Sequence, residues 1–422
     1  MTSLQRRLGR IDALAISLGG VIGVGVFRST GVVLRGAGGV GGATLIWIVC
    51  GIVCLSGALL YADLSGRVPE AGGPYAYVRV AFGRPTAFVF GWMNAAVAIP
   101  ARQAAGMAVI GDVLGAWLPV TPRVLAIGVV LLLFGLNLLG VRAGALAQRV
   151  FTSAKLATIL LVIALAMALA SAGGHAASAA AALPPVSFAV AVSGAWYAYL
   201  GWQDTVLLAE ELHHPRRDLP VVLVGTVVTV LVLYTGIHLA VYFGLHGDAV
   251  AYGKLPALDV AERALGGVGT GLLSALMLSS MFGGQAEGMM VRPRMAMALA
   301  RDGLAPAPMA QVSKVGTPYG ALVFHVAIVL ALVATGSFTE LLPLLAFAQG
   351  VLGILETASY FVVRKARPEL PTMRFHPWAP LAFIVTNVAL CVITAWADPL
   401  RAGLAVALIA LVGVVYAVVV RR

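Results

Sequence analysis

Apolar positions in this 422-residue chain fall into long blocks broken by short stretches of Gly, Pro and charge. The blocks lie near 11–34, 41–65, 86–116, 123–140, 146–171, 187–211, 219–244, 265–297, 319–336, 340–363, 377–396 and 402–420. A hydrocarbon span takes roughly 20 helical residues, so this pattern predicts an all-α integral membrane protein with about twelve transmembrane helices. The first block has glycines at its centre and no small-residue cleavage site before a polar segment. It therefore reads as a permanent helix rather than a cleaved leader.

Composition narrows the picture. With 60% hydrophobic and 11% charged residues and a mean hydropathy of +0.97, too little polar surface remains to cover a sizeable soluble domain. The expected organisation is one transmembrane domain over residues 1–422, in contact with the lipid bilayer. The formal charge of +11 does not point to nucleic acid, because the basic residues sit in short clusters between apolar blocks. With the N-terminus inside, 21 of the 28 Lys and Arg residues fall in inward-facing loops or helix ends. The positive-inside rule then puts both termini in the cytoplasm of a multi-pass plasma or inner membrane protein with an even span count. Cys50, Cys54 and Cys391 all lie in apolar blocks, which argues against a disulfide framework or a metal site.

Two blocks are weakened at their centres. The first carries Gly19-Gly20-Val21-Ile22-Gly23-Val24-Gly25-Val26-Phe27, and each glycine costs roughly 1 kcal/mol of helix propensity relative to alanine. Local unwinding at bilayer depth must face protein or a polar cavity, and free amides at the start of the outer half-helix suit a carboxylate. Close helix packing through small residues is the competing explanation for the glycines. The sixth block carries Trp196-Tyr197-Ala198-Tyr199-Leu200-Gly201-Trp202-Gln203-Asp204, which sets a glycine, polar-tipped aromatics and an acid inside an apolar run. Weakened segments five blocks apart point to a secondary transporter with inverted repeats, here about 11–171 and 187–363, with additional helices at about 377–420.

Ile22-Gly23-Val24-Gly25-Val26-Phe27 is similar to a G-S-G-I-F break, and Pro69-Glu70-Ala71-Gly72-Gly73-Pro74-Tyr75-Ala76-Tyr77 to a first inner loop. With Tyr197–Trp202, Ala209–Leu212, His213–Pro220 and Arg294–Gly303, these motifs resemble the amino acid/polyamine/organocation (APC) superfamily, in its LAT-like or cationic-transporter-like branch. The resemblance covers spans one to ten. It implies a LeuT-like five-plus-five fold with discontinuous helices 1 and 6, two extra helices, and alternating access for amino acids. It further implies the substrate carboxylate on Ile22, Gly23, Val24, Gly25 and Val26, and its amine on backbone carbonyls at Tyr197, Ala198, Tyr199 and Gly201, with Tyr197 as an aromatic gate. Valine at 24 departs from the serine of that motif.

Lys155, about two turns into span five, is compatible with a lysine snorkelling to the interface. The resemblance instead implies an ammonium that replaces a sodium ion between spans one, five and eight. The same group is a candidate proton carrier, which leaves exchange and proton symport both open. Arg102, Gln103 and Glu287 are mid-span polar residues and are expected to shape side-chain specificity, with a structural Arg102–Glu287 pair as the alternative. Glu356 is expected to pair with Arg364 or Lys365, and Asp12 to serve a helix N-terminus. No motif for an enzyme, cofactor or metal is present. The expectation is a sodium-independent amino acid transporter, with exchange ahead of proton symport. A non-transporting sensor and a channel are the alternatives, and no disulfide-linked heavy subunit is expected.

Overall fold

The structure is a computed structural model that describes residues 4–23, 25–172, 187–245, 255–336, 338–368, 370, 373 and 375–420, with backbone alone at 338–346 and 419–420. Val24, and the basic positions 254, 374, 421 and 422 used in the charge pattern, lie outside the described residues.

Helices occupy each expected block. In chain order they are α1 (Arg10–Val21), α2 (Gly25–Gly36), α3 (Val40–Arg67), α4 (Pro74–Trp92), α5 (Ile99–Gly115), α6 (Pro122–Leu138), α7 (Val141–Ala172) and α8 (Phe188–Tyr199). They continue as α9 (Pro215–Gly244), α10 (Pro256–Val291), α11 (Pro293–Arg301), α12 (Tyr319–Thr335), α13 (Phe338–Ala366), α14 (Trp378–Ala397) and α15 (Pro399–Val415). A π-helical turn, Met93–Ala98, joins α4 to α5, and the 3-10 segment Trp202–Glu211 follows α8. Seven of the described helical stretches are long and apolar enough to cross a membrane, or eight when α1 and α2, bent by 45°, count as one. The protein is thus an all-helical membrane protein whose described residues form no strand beyond one isolated bridge, Leu8 with Leu212.

Two apolar blocks begin earlier than the hydropathy pattern suggests. The helix preceding α5 starts at Pro74 and turns at Gly83 (φ 78°), and α10 starts at Pro256 and turns at Gly266 (φ 64°). In each case a glycine in the left-handed region lets the lead-in meet the span at an angle.

Around the first block the bundle packs α1 on α7, α9 and α10, α2 on α8, and α3 on α9. Outward faces remain apolar, as at Leu45, Ile52, Val232 and Trp396, which is the surface that lipid requires. The inward faces form apolar clusters interrupted by buried charge. Arg67 and Arg294, two of the 21 cations counted at inward-facing loops or helix ends, are packed inside the protein. Arg67 pairs with Asp63 at 2.8 Å, and Arg294 pairs with Glu211. The basic sign that orients the chain is therefore partly spent on internal pairing. Glu356 likewise departs from expectation: it accepts a hydrogen bond from Tyr61, not from Arg364 or Lys365. Asp12 behaves as expected, accepting from the Gly9 amide at 2.9 Å and pairing with Arg149 at 2.7 Å.

Removing one partner of a fully buried ion pair strands the other charge, at a cost of about 3–5 kcal/mol. Glu211→Ala is accordingly expected to lower the melting temperature of the detergent-solubilised protein sharply. The double change Glu211→Leu with Arg294→Met should recover most of the loss. Equal melting of the single variant and the parent would show that the pair carries no stabilising role.

Candidate functional site

The break in the first block divides the backbone's hydrogen-bonding needs unequally. An α-helix leaves its last carbonyls and first amides without intrahelical partners, and at bilayer depth no bulk water is available to serve them. Here the carbonyls at the end of α1 are served by side chains from three other helices. Lys155 Nζ on α7 donates to Gly19 O at 2.5 Å, Tyr234 Oη on α9 to Val21 O at 3.1 Å, and Ser280 Oγ on α10 to Ile22 O at 3.4 Å. One turn earlier Thr152 Oγ1 donates to Ala15 O at 2.7 Å. The opening amides of α2, from Gly25 onward, donate to no side-chain acceptor among the described residues, and Gly23 and Gly25 are part-exposed. The carbonyl end is capped and the amide end is left open.

The second break meets the first directly. Leu200 and Gly201 leave the helical region, and Gly201 has φ 126°. A Cβ on Gly201 would sit 2.5 Å from Gly20 O, so only glycine allows this approach of the two chains. A Cβ on Gly25 would lie 3.5 Å from the Ala198 Cα. The expected residues Ile22, Gly23, Gly25, Val26, Ala198 and Gly201 are thereby brought to one locus. Beyond the break the chain tightens into the 3-10 segment instead of resuming an α-helix, and Gln203 Oε1 accepts the Gly201 amide at 3.1 Å.

Two of the expected aromatics have different fates. Tyr197 is 63% exposed. Tyr199 is fully buried, its hydroxyl donating to Trp47 O at 3.0 Å and its ring set against Trp47 and Tyr234. Its side chain packs behind the break, so only its backbone borders the locus.

Lys155 is buried between α1 and α10 and does not snorkel. Its Nζ would lie 3.8 Å from a Cβ on Gly284, and its Cε 3.1 Å from one on Gly283. Next to it, Glu287 packs its carboxylate on α1, 3.0 Å from where a Cβ on Gly20 would stand. Glu287 is fully buried, and neither carboxylate oxygen has a hydrogen-bond partner among the described residues.

The alternative Arg102–Glu287 pair does not form. Arg102 pairs instead with Asp204 at 3.1 Å, and the same carboxylate receives Arg292 Nε at 2.9 Å. Arg292 also lies 3.8 Å from Glu287 and donates to Gln103 Oε1 at 2.5 Å, while Gln103 Nε2 donates to Gln285 O at 2.9 Å. Arg292 and Asp204 thus join the site. Arg292, at the end of an apolar block, is one of the 21 cations counted as inward-facing in the charge pattern, and the only sequence signal for the pair was the cost of Asp204 at depth.

Below these groups, at the end where the chain begins, the bundle is closed. The Arg7 and Leu8 amides donate to Glu211 O at 2.9 Å, Arg10 pairs with Asp218 at 2.8 Å, and Arg301 pairs with Glu210 at 2.6 Å.

A membrane bundle with two touching helix breaks, open amides and an internal lysine is the framework of a solute carrier. The chain belongs to the amino acid permease family, whose model matches residues 8–420, and to the APC superfamily; it is a transport protein and not an enzyme. It is 28% identical to the large neutral amino acids transporter small subunit 2 of Homo sapiens, covering 96% of this chain and 79% of the relative. It is 26% identical to the serine/threonine exchanger SteT of Bacillus subtilis (strain 168), covering 97% and 95%. A third relative, the b(0,+)-type amino acid transporter 1 of Homo sapiens, is 28% identical over 63% of this chain and 56% of its own length.

Gly201→Ala is expected to destabilise the protein by at least about 1–3 kcal/mol, the cost of a strained backbone position, before the overlap with Gly20 O is added. Thermal unfolding in detergent should show a lower midpoint and a reduced folded yield. An unchanged midpoint would mean that the two breaks do not need their close approach.

Proposed function

We propose that this protein is a sodium-independent amino acid exchanger working by alternating access, with the five-plus-five inverted-repeat architecture, about twelve spans and cytoplasmic termini in the plasma or inner membrane. The observation that carries the reading is the asymmetric satisfaction of the first break: capped carbonyls on α1, open amides on α2. In this reading the substrate carboxylate binds the amides of residues 22–26, Val24 included, and the ammonium binds backbone carbonyls of 197–201. Tyr197 covers the bound substrate. Substrate bridges the two breaks, and the bundle rocks about it. Arg102, Gln103 and Glu287 with their partners set the side-chain preference. All three cysteines lie within helices α3 and α14, so the transporter works without a disulfide-linked partner subunit.

Lys155 supports sodium independence. Its ammonium occupies the space between α1, α7 and α10 and holds the Gly19 carbonyl, work that a bound cation would otherwise do. A second reading, proton symport, draws on the carboxylate of Glu287 beside Gly20, which accepts no hydrogen bond among the described residues and meets Arg292 only at 3.8 Å, a group suited to carry a proton at this depth.

Proteoliposomes separate these readings. Uptake of a labelled amino acid panel is expected to depend on internal amino acid and to be indifferent to a sodium gradient. Uptake into empty vesicles driven by inward protons would replace exchange with symport, and no uptake under any condition would favour a sensor. Lys155→Ala should reduce exchange by at least tenfold, consistent with loss of about 1.4 kcal/mol or more of stabilisation of the α1 end. Gly25→Leu should abolish binding by filling the amide face, and unchanged affinity would remove that face from the site.

A further inference from the structure

The charged groups around the breaks are not equally available to a ligand. Glu287 and Gln103 are fully buried, and Gln103 spends both ends of its amide on Gln285 O and Arg292. Asp204 is buried and its carboxylate is shared by two guanidiniums. Lys155 is held on Gly19 O, and Glu356 is buried on the Tyr61 hydroxyl. Arg102 differs on both counts. Its side chain is 29% accessible beside the exposed Tyr197, and only its Nη2 is engaged, on Asp204. A guanidinium carries five N–H donors in a rigid fork. None of the Arg102 nitrogens is buried without a partner, so its unused donors are accessible to a ligand.

We propose that Arg102 is the side-chain subsite and that the preferred substrates are α-amino acids carrying a second anionic group, the dicarboxylic amino acids foremost. This rests on the reading that the breaks hold the α-carboxylate and α-ammonium. Three physical arguments converge on it. Asp204, the one ion-pair partner of Arg102 among the described residues, is shared with Arg292, whose other carboxylate, Glu287, stands at 3.8 Å; a ligand carboxylate would give Arg102 a partner of its own in a bidentate geometry that suits guanidinium. An apolar side chain would strip water from the free donors and offer no acceptor in return. A cationic side chain would meet Arg102 first, while Asp204, Glu287 and Glu356 stay closed behind it.

The test is equilibrium binding to the purified full-length protein, using labelled glutamate and aspartate displaced by glutamine, asparagine, leucine and lysine. The acids are expected to bind about tenfold tighter or better than their near-isosteric amides. Arg102→Gln should erase that preference and bring glutamate and glutamine within about threefold, while Arg102→Lys should keep part of it. Amides, leucine or lysine binding as tightly as the acids to the parent protein would overturn the proposal, with no variant needed. So would an acid preference that survives Arg102→Gln. Binding of neutral amino acids that is lost in Gly25→Leu would retain the site and reject only its acidic preference. Failure of every amino acid to bind would reject the site itself, and the proposal with it.

Discussion

The structure depends on a single constraint: peptide groups exposed by a broken helix inside a bilayer must find partners in the protein. At the end of α1 those partners come from α7, α9 and α10 through Lys155, Tyr234 and Ser280. The three helices could not supply them from elsewhere, so the need to cap one helix end also fixes how they gather around it. The amides of α2 are the remainder of the same account. Among the described residues they donate to no side-chain acceptor, which is why the proposed function gives them to the ligand.

Charge inside the bundle follows a second rule. Buried ion pairs add little net stability over apolar packing, but losing one member is costly, so they act mainly to fix which surfaces meet. Asp204 ties the chain beyond the second break to α5 through Arg102 and to the end of α10 through Arg292. Farther along the same segment Glu211 and Glu210 tie it to Arg294 and Arg301 on α11. The 3-10 segment is therefore held along its length by arginines from its neighbours, which explains how ten residues of a weak helix type keep one position.

Much of this was legible in the sequence, and for physical reasons. Glycine runs announce backbone that departs from the helix, and it departs at Ile22 and Gly23, inside the first run, and at Gly201. Lys155 was conspicuous because an ammonium within an apolar run has to be answered by something. Pairings were not legible. Arg102 and Asp204 stand about a hundred residues apart, and Tyr61 and Glu356 farther still, so their meeting depends on the rotation of each helix about its axis. Hydropathy reports that a helix is buried and says nothing of which neighbour its polar residue faces. Arg292 was misread for a related reason: a cation at the end of an apolar block looks the same whether it reaches out to water or back to a buried acid. The tightening of residues 202–211 into a 3-10 helix was equally hidden, because ten residues are too few to separate a period of 3.0 from one of 3.6.

The shared capping of α1 also bears on how well the protein insulates. Three donors from three helices grip the carbonyls of Gly19, Val21 and Ile22, so α1 cannot shift without weakening several bonds together. Packed interfaces of this kind jump between discrete arrangements instead of deforming continuously. A pathway whose gate has few half-open positions passes few stray ions, and the membrane keeps its voltage while the cargo crosses.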